Sequence, residues 1–282
     1  MSDWSRGWPA PAKLNLMLRI TGRRADGYHE LQTVFQFLDL CDELDFRVRK
    51  DGKVRRLDPL PGVAPEADLT VRAARLLRNY AGVAPGVDIA LRKRLPMGGG
   101  LGGGSSNAAT VLHALNHLWG CGLDDAELAV LGLRLGADVP IFVHGHAAWA
   151  EGVGERLRPI ALPEPWYLVI APDCHVATGE VFSAPELTRN SRPIIIRAFI
   201  AGDRRNDCLP VVRERYPAVS QVIEWLEERA EARLTGTGGC VFAEFASASA
   251  AEQVRQQVPA DWQAWVARGC NRSPLRGRLE HD

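Results

Sequence analysis

The sequence predicts an α+β protein with two domains. Stretches with the two-residue period of β-strands alternate with stretches that have the 3.6-residue period of helices, and both kinds occur in each half of the chain. The composition changes at the proline-containing stretch 159–165, which is followed by a strand-like segment. We therefore expect one domain at residues 1–163 and a second at residues 164–282.

The composition is that of a globular protein with a large core. Of the 282 residues, 46% are hydrophobic, and Lys+Arg and Asp+Glu both number 34, so the formal net charge is zero. This balance argues against a protein that coats nucleic acid or a membrane surface. We expect a soluble cytoplasmic protein, because the sequence has no long apolar span and no positive-then-apolar signal at its start. The six cysteines contain no C-x-x-C pair and are expected to be buried free thiols.

The first strand is predicted at residues 11–20, PAKLNLMLRI, where apolar and polar residues alternate. This pattern is typical of a strand with one buried face, and it places Lys13 and Asn15 on the same side. The remaining predicted elements are, in order, the apolar segment 31–40, solvated strands in 43–58, a helix over 68–80 capped by Asp68, a strand over 87–95, a helix that follows the glycines and ends at Gly120, a helix over 126–135 capped by Asp124 or Asp125, a strand over 166–172, a helix over 217–231, a glycine-rich turn and strand in 234–245, and a helix over 250–257.

The segment Gly136 to Pro140, GADVP, leads into the apolar run 141–143. Because Val139 precedes a proline, its backbone is expected to be extended. We therefore expect Asp138 at a turn between a helix and a strand. From spacing alone, an Asx-turn or helix cap explains this aspartate as well as a functional role does.

A glycine-rich loop is the strongest chemical feature of the sequence. Six glycines lie within residues 98–104, and glycine offers no side chain for core packing. Their backbone N–H groups can approach an anion, and the helix that follows adds the partial positive charge of its N-terminus. The loop therefore predicts phosphate binding, with a flexible loop or tight turn as the structural alternative. It lacks the lysine of a P-loop, and the dinucleotide fingerprint fits poorly.

The segment PMGGGLGGGSSNAA resembles the ATP-binding loop of the GHMP kinases, which phosphorylate small-molecule hydroxyls. The segments LTGTGGCVFAEF and CNRSPL resemble later parts of the same superfamily. The resemblance implies a two-domain GHMP kinase fold, with a ribosomal-protein-S5-like ATP-binding domain and a ferredoxin-like C-terminal domain. It assigns ATP binding to Pro96, Met97, Gly98, Gly99, Gly100, Leu101, Gly102, Gly103, Gly104, Ser105 and Ser106.

The first segment, PAKLNLMLRITGRRADGYHELQTVFQFLDLCDEL, narrows the resemblance to one branch of these kinases. That branch uses ATP to phosphorylate the 2-hydroxyl of 4-diphosphocytidyl-2-C-methyl-D-erythritol in the non-mevalonate isoprenoid pathway. The resemblance implies that Lys13 and Asp138 are the catalytic pair. Asp138 would accept or orient the hydroxyl proton, and Lys13 would stabilise charge near the transferring group. For Lys13 alone, a lysine that snorkels from a half-buried strand is the structural alternative.

The same resemblance assigns substrate binding to Asn15, Tyr28, His29, Thr178 and Phe182. The histidine would contact the cytosine edge, and Tyr28 and Phe182 would stack on opposite faces of the ring. Thr178 and Phe182 lie in ATGEVF, which matches the family loosely, so Phe182 is equally well explained as a core residue. The turn 234–240 is implied to close near the phosphates, with a simple turn before a strand as its alternative.

Mg²⁺ is expected to accompany ATP, held by phosphate oxygens and water with Ser105 or Ser106. We expect no metal site built from protein side chains. His113 and His117 have the i, i+4 spacing of metal ligands but no third ligand, so they are predicted to be helix-surface or interface residues.

Two other functions remain open from the sequence. One is a different GHMP kinase, of the homoserine or mevalonate type, and the other is a nucleotide-binding protein without catalysis. The expected partner is a small-molecule substrate, without nucleic acid or membrane, and the expected assembly is a monomer or a weak homodimer.

Overall fold

The computed structural model describes residues 3–280. The strands are β1 (Trp4–Arg23), β2 (His29–Arg49), β3 (Val54–Arg56), β4 (Gly86–Arg92), β5 (Ala148–Gly152), β6 (Arg156–Pro159), β7 (Trp166–Ala171), β8 (Arg233–Leu234), β9 (Val241–Phe245) and β10 (Gln263–Cys270). The helices are α1 (Leu69–Ala81), α2 (Gly103–Leu118), α3 (Asp125–Leu133), α4 (Val139–His144), α5 (Thr178–Ser183), α6 (Ile196–Ile200), α7 (Leu209–Arg215), α8 (Pro217–Glu227), α9 (Ala248–Arg255) and α10 (Pro274–Leu279).

One sheet runs through both halves of the described chain, in the order β3-β4-β2-β10-β7-β9-β8. The long strand β2 connects the parts of this sheet, because it pairs with β1 and β5 as well as with β4 and β10. Helices α1 to α4 pack beside the β1–β2 part, and α8 and α9 contact the β7–β9 part. The mixture of helices and a largely antiparallel sheet confirms the predicted α+β class.

Strand β1 is longer and more deeply buried than its alternation predicts. Every residue from Ala10 to Ile20 is buried, so the polar side of the strand is covered as well as the apolar side. Its pairing with β2 is irregular between Pro11 and Lys13 and again between Asn15 and Met17. Such irregularities re-aim side chains beside functional sites. Here they bracket Lys13 and Asn15.

The expectation of a helix-to-strand turn at Asp138 is wrong. Residues Val139–His144 form the short helix α4, with Asp138 at its N-cap position. Pro140 lies in the first turn, where the missing N–H of proline removes no helical hydrogen bond. Val139 and Ile141 to Val143 are buried, so the packing of this helix outweighs the local preference for extended backbone before proline.

The other helix predictions hold to within a few residues. Asp68 caps α1 by accepting from the backbone of Thr70. Asp124, rather than Asp125, caps α3, and it forms a capping box with Glu127. The sequence patterns did not predict the short elements β5, β6, α5, α6, α7 and α10 or the strand β10.

The predicted domain boundary at residues 163 and 164 falls between β6 and β7 and stays a prediction. Residues 1–2 and 281–282, at the outer ends of the two predicted domains, lie outside the described residues. All six cysteines are free, but only Cys208 and Cys240 are buried, so the expectation of buried thiols is wrong for the other four. Among residues 3–280, none of the helices combines the length and the hydropathy of a transmembrane span.

Candidate active site

A cavity of about 960 Å³ lies between the glycine-rich loop, β1, the start of β2 and α5. It is lined by every residue that the sequence assigns to the site except Ser106. A concave site of this size suits a nucleotide or another small molecule. The residues drawn from five separate segments of the sequence therefore share one space.

Lys13 and Asp138 meet in this cavity. Their Nζ and Oδ2 atoms are 3.3 Å apart, and the lysine side chain is 3% exposed while the aspartate is 37% exposed. The carboxylate makes no capping hydrogen bond to α4, although it occupies the N-cap position. Its lone pairs are therefore available to a group that enters the cavity, with a buried cation beside them.

Two further contacts hold the Lys13 ammonium in place. It donates to Oδ1 of Asn15 at 2.5 Å and to the carbonyl of Gly100 in the glycine-rich loop at 3.0 Å. The amide of Asn15 donates in turn to Thr33 on β2 at 2.8 Å. Because an ammonium has three donors and no acceptor, these partners and Asp138 together fix its direction.

The glycine-rich loop presents an uncapped helix N-terminus to the cavity. Helix α2 begins at Gly103, and its N-cap residue Gly102 provides no side-chain hydrogen bond to the first turn. The backbone N–H groups of that turn and the helix dipole favour an anion at this point. The geometry therefore suits the phosphates of a nucleotide.

A second loop, residues 234–240, packs directly on the glycine-rich loop. The backbone N–H of Cys240 donates to the carbonyl of Gly99 at 3.0 Å, and Thr235 accepts from the backbone of Asn15 at 3.0 Å. A Cβ atom on Gly239 would lie 2.5 Å from the carbonyl oxygen of Gly98, so only glycine permits this approach. The second loop thus holds the first in shape and joins it to β1.

Another part of the cavity wall is aromatic. The rings of His29 and Phe182 stack with centroids 5.0 Å apart and an interplanar angle of 20°. Tyr28 is 62% exposed at the cavity edge, and Thr178 bonds the hydroxyl of Thr237 at 2.9 Å. The stacked pair presents aromatic surface to a planar ligand in the cavity.

Two buried polar atoms beside the glycine-rich loop have no hydrogen-bond partner within residues 3–280. They are Oγ of Ser106 and Oδ1 of Asn107, near the N-terminus of α2. A buried oxygen without a partner costs free energy, and a bound water, ion or ligand is one explanation for it. Asn107 also lines the cavity, although no pattern in the sequence marked it as a site residue.

Comparison with known proteins agrees with the geometry. The family model for the GHMP kinases N terminal domain matches residues 68–146, and that for the GHMP kinases C terminal matches residues 192–264. The chain is 62% identical over 277 residues to the 4-diphosphocytidyl-2-C-methyl-D-erythritol kinase of Alkalilimnicola ehrlichii, with coverage of 98% of this chain and 95% of the relative. It is 57% identical to the kinase of that name from Nitrosococcus oceani, with coverage of 97% and 98%.

A solved structure gives the same result. A crystal structure of 4-(cytidine 5'-diphospho)-2C-methyl-D-erythritol kinase superposes with a TM-score of 0.78 at 35% identity, and the match covers 93% of this chain and 98% of that one. The chain belongs to the 4-diphosphocytidyl-2-C-methyl-D-erythritol kinase family of GHMP kinases. It has the two-domain GHMP kinase fold and is a small-molecule kinase with ATP as a substrate.

Two histidines of this kinase differ from one another in a way that the sequence did not show. His117 is exposed as predicted, but His113 is 5% exposed, so its prediction as a surface or interface residue is wrong. Its Nε2 atom bonds the carbonyl of Val143 at 3.0 Å, and burial lowers its pKa to about 4. Within residues 3–280 no cluster of His, Cys, Asp or Glu could hold a metal ion.

Two residues that hydrogen-bond groups of the kinase site were not predicted from the sequence. Asn206 donates to the carbonyls of Leu234 and Gly236, which shapes the second loop. Arg189 donates to the ring of His29. Neither residue stands in a periodic pattern or a glycine-rich segment, so no local signal marked them.

Proposed function

We propose that the protein transfers the γ-phosphoryl group of ATP to the 2-hydroxyl of 4-diphosphocytidyl-2-C-methyl-D-erythritol, which gives the 2-phosphate and ADP. The observation that carries the proposal is the contact of Lys13 with Asp138, between a phosphate-binding loop and an aromatic pocket in one cavity. The names of the relatives support the choice of substrate. The reaction is a step of the non-mevalonate isoprenoid pathway.

Asp138 acts on the attacking hydroxyl. Its carboxylate forms the ion pair with the buried lysine, and it has no competing capping bond. It accepts the hydroxyl proton or orients the hydroxyl toward the γ-phosphorus. Lys13, fixed by Asn15 and Gly100, stabilises negative charge on the transferred group. Phosphoryl transfer needs mainly this positioning and charge stabilisation.

The aromatic end of the cavity binds the cytosine. Phe182 offers one face for stacking, and the exposed ring of Tyr28 closes on the opposite side of the base. His29 hydrogen-bonds the edge of the base. Asn15 and Thr178 line the same cavity and contact the methylerythritol and diphosphate part of the substrate in this proposal.

Mg²⁺ fits the phosphate end of this site. Ser105 at the cavity wall has a hard hydroxyl oxygen of the kind that Mg²⁺ takes together with phosphate oxygens and water. The unpartnered Oγ of Ser106 is buried next to it in sequence but does not line the cavity. Bound there, the ion would neutralise charge on the β- and γ-phosphates.

We also propose that the enzyme is cytoplasmic and is a monomer or weak homodimer that binds neither nucleic acid nor a membrane. Six free thiols support the cytoplasmic location, and a net charge of zero supports the absence of nucleic-acid and membrane partners. The domain boundary at residues 163 and 164 belongs to the same proposal, and the two family models lie on either side of it.

Coupled ADP release tests the proposed substrate. Purified protein with Mg-ATP is assayed with the cytidyl substrate, homoserine or mevalonate in parallel. We expect turnover with the cytidyl substrate alone. Turnover with homoserine or mevalonate would reassign the substrate, and ATP binding without turnover of any of the three would indicate a nucleotide-binding protein.

A further inference from the structure

Arg189 connects the parts of the aromatic pocket through hydrogen bonds. Its Nε donates to Nε2 of His29 at 3.2 Å. Its two other nitrogens donate to the carbonyls of Leu187 at 3.1 Å, Phe182 at 2.9 Å and Ala184 at 2.7 Å. One guanidinium therefore fixes both the histidine and the end of the helix that carries Phe182.

The contact with Arg189 determines which nitrogen of His29 carries the proton. A guanidinium has only donors and stays protonated in proteins, so Nε2 must accept. The imidazole is then neutral with its proton on Nδ1. Burial, followed by the positive charges of Arg189 and Arg23, lowers the pKa of His29, which agrees with a neutral ring.

The Nδ1–H group is the side-chain donor of His29 that is available to a ligand, because Nε2 is paired with Arg189. The ring lines the cavity, and no residue of the described chain, 3–280, hydrogen-bonds Nδ1. We propose that Arg189 is a positioning residue that holds His29 as the Nδ1–H tautomer and thereby makes the site select cytosine over uracil. The selection follows because N3 of cytosine accepts a hydrogen bond, whereas N3 of uracil carries a proton and would face a second donor. This inference rests on the proposed cytidyl substrate.

The preference for the cytidyl over the uridyl substrate should be large, because in the uridyl complex the N3–H of uracil would face the Nδ1–H of His29 and neither donor would have an acceptor. A site built to hydrogen-bond one partner rejects an analogue that leaves its polar group unpaired by roughly 10⁴-fold in the best cases. We expect the wild type to prefer the cytidyl substrate over its uridyl analogue by at least about 10²-fold in kcat/KM. Without the arginine both tautomers become available, and Nε2–H histidine can accept from uracil N3–H at Nδ1.

Two measurements test the proposal. The first is ¹⁵N NMR of the histidine side chains in the wild type, with the His29 signal assigned by its loss in His29→Asn. We expect a protonated Nδ1 and an unprotonated Nε2. A proton on Nε2 would overturn the proposal, and this measurement needs no arginine variant to fold.

The second measurement is the cytidyl-to-uridyl ratio of kcat/KM in Arg189→Met, with Arg192→Met as the matched control. Arg192 is exposed on the same segment, and its side chain makes no ion pair within the described residues. In Arg189→Met we expect the ratio to fall at least about tenfold, with the KM for ATP unchanged, and in Arg192→Met we expect the wild-type ratio. An unchanged ratio in folded Arg189→Met would overturn the proposal.

The two proposals fail in different ways. Absence of turnover with the cytidyl substrate in the wild type would overturn the proposed function, whatever the tautomer of His29. Turnover with that substrate, together with equal use of the uridyl analogue by the wild type, would leave the proposed function intact and overturn the role of Arg189.

Discussion

The Nζ atom of Lys13 lies 3.3 Å from Oδ2 of Asp138, although one residue is in the first strand and the other begins α4. The lysine also donates to the glycine-rich loop through Gly100. Thus the strand, the phosphate-binding loop and the acid are joined at a single ammonium group. This junction places the acceptor of the hydroxyl proton next to the loop that holds the phosphates.

Replacement of the Lys13 ammonium tests its part in charge stabilisation. Lys13→Met keeps a long apolar stem but removes the cation, and loss of one preorganised donor of this kind costs about 10²–10³ in kcat. We expect a fall of that order in steady-state ADP release. Lys50→Met, at an exposed position outside the cavity, is the control and should keep wild-type kcat. A Lys13→Met enzyme with normal kcat would remove the lysine from the mechanism.

The packing of the two glycine-containing loops predicts a defect in ATP use. In Gly239→Ala the new methyl group would meet the carbonyl of Gly98, and the backbone φ of +95° disfavours alanine. We expect kcat/KM for ATP to fall roughly tenfold or more, because a displacement of about 1 Å can cost 10² in rate. Gly277→Ala, where nothing lies within 4 Å of the added Cβ, serves as the control. Equal ATP kinetics in the two variants would contradict the role given to the second loop.

Tyr28 is expected to contribute to substrate binding and not to the stability of the free protein. It is 62% exposed, so Tyr28→Ala should leave the thermal stability of the free protein unchanged. Loss of base stacking is worth about 1–3 kcal/mol, so the KM for the cytidyl substrate should rise by at least roughly fivefold. Tyr80→Ala removes a tyrosine that is 54% exposed and does not line the cavity. A similar rise in KM in both variants would show that stacking by Tyr28 is not the cause.

Buried His113 predicts a loss of stability in mild acid. Its pKa is about 4 in the folded protein against 6.5 for a free histidine, so between these values the unfolded chain binds the proton and the native state does not. The free energy of unfolding should fall as the pH drops from 6.5 toward 4, by up to about 3 kcal/mol from this group.

Urea unfolding at pH 7.5 and pH 5 measures this effect. His113→Gln keeps a side-chain donor for the carbonyl of Val143 but does not titrate. We expect the difference in stability between the two pH values to be smaller in the variant than in the wild type. Equal differences would show that His113 is not the titrating group.

The sequence predicted the site better than it predicted the surroundings of the site. The alternation around Lys13 correctly indicated a strand, but it predicted one buried face, and both faces are buried. The second covering layer comes from residues 100, 138 and 235, which are far away in the sequence. Local periodicity carries no information about such long-range packing.

The errors at Val139 and His113 have a related cause. Both residues lie where α2 and α4 pack against each other, and Val139 and His113 are buried there. The local rules, extended backbone before proline and polar residues on a helix surface, are weaker than burial in a packed interface. Arg189 was missed because its function depends on spatial contact with His29, which no spacing in the sequence predicts.

The most direct test of the account is the chemical step in Asp138→Asn, measured by rapid quench in a single turnover with enzyme in excess over the cytidyl substrate and saturating Mg-ATP. The substitution preserves size and the N-cap position but removes the acceptor of the proton. We expect the rate of phosphoryl transfer to fall about 10²–10⁴-fold in a variant that stays folded and binds ATP as the wild type does. A rate within about threefold of the wild type in the folded variant would contradict the central claim, because a contribution of general-base size would then be absent.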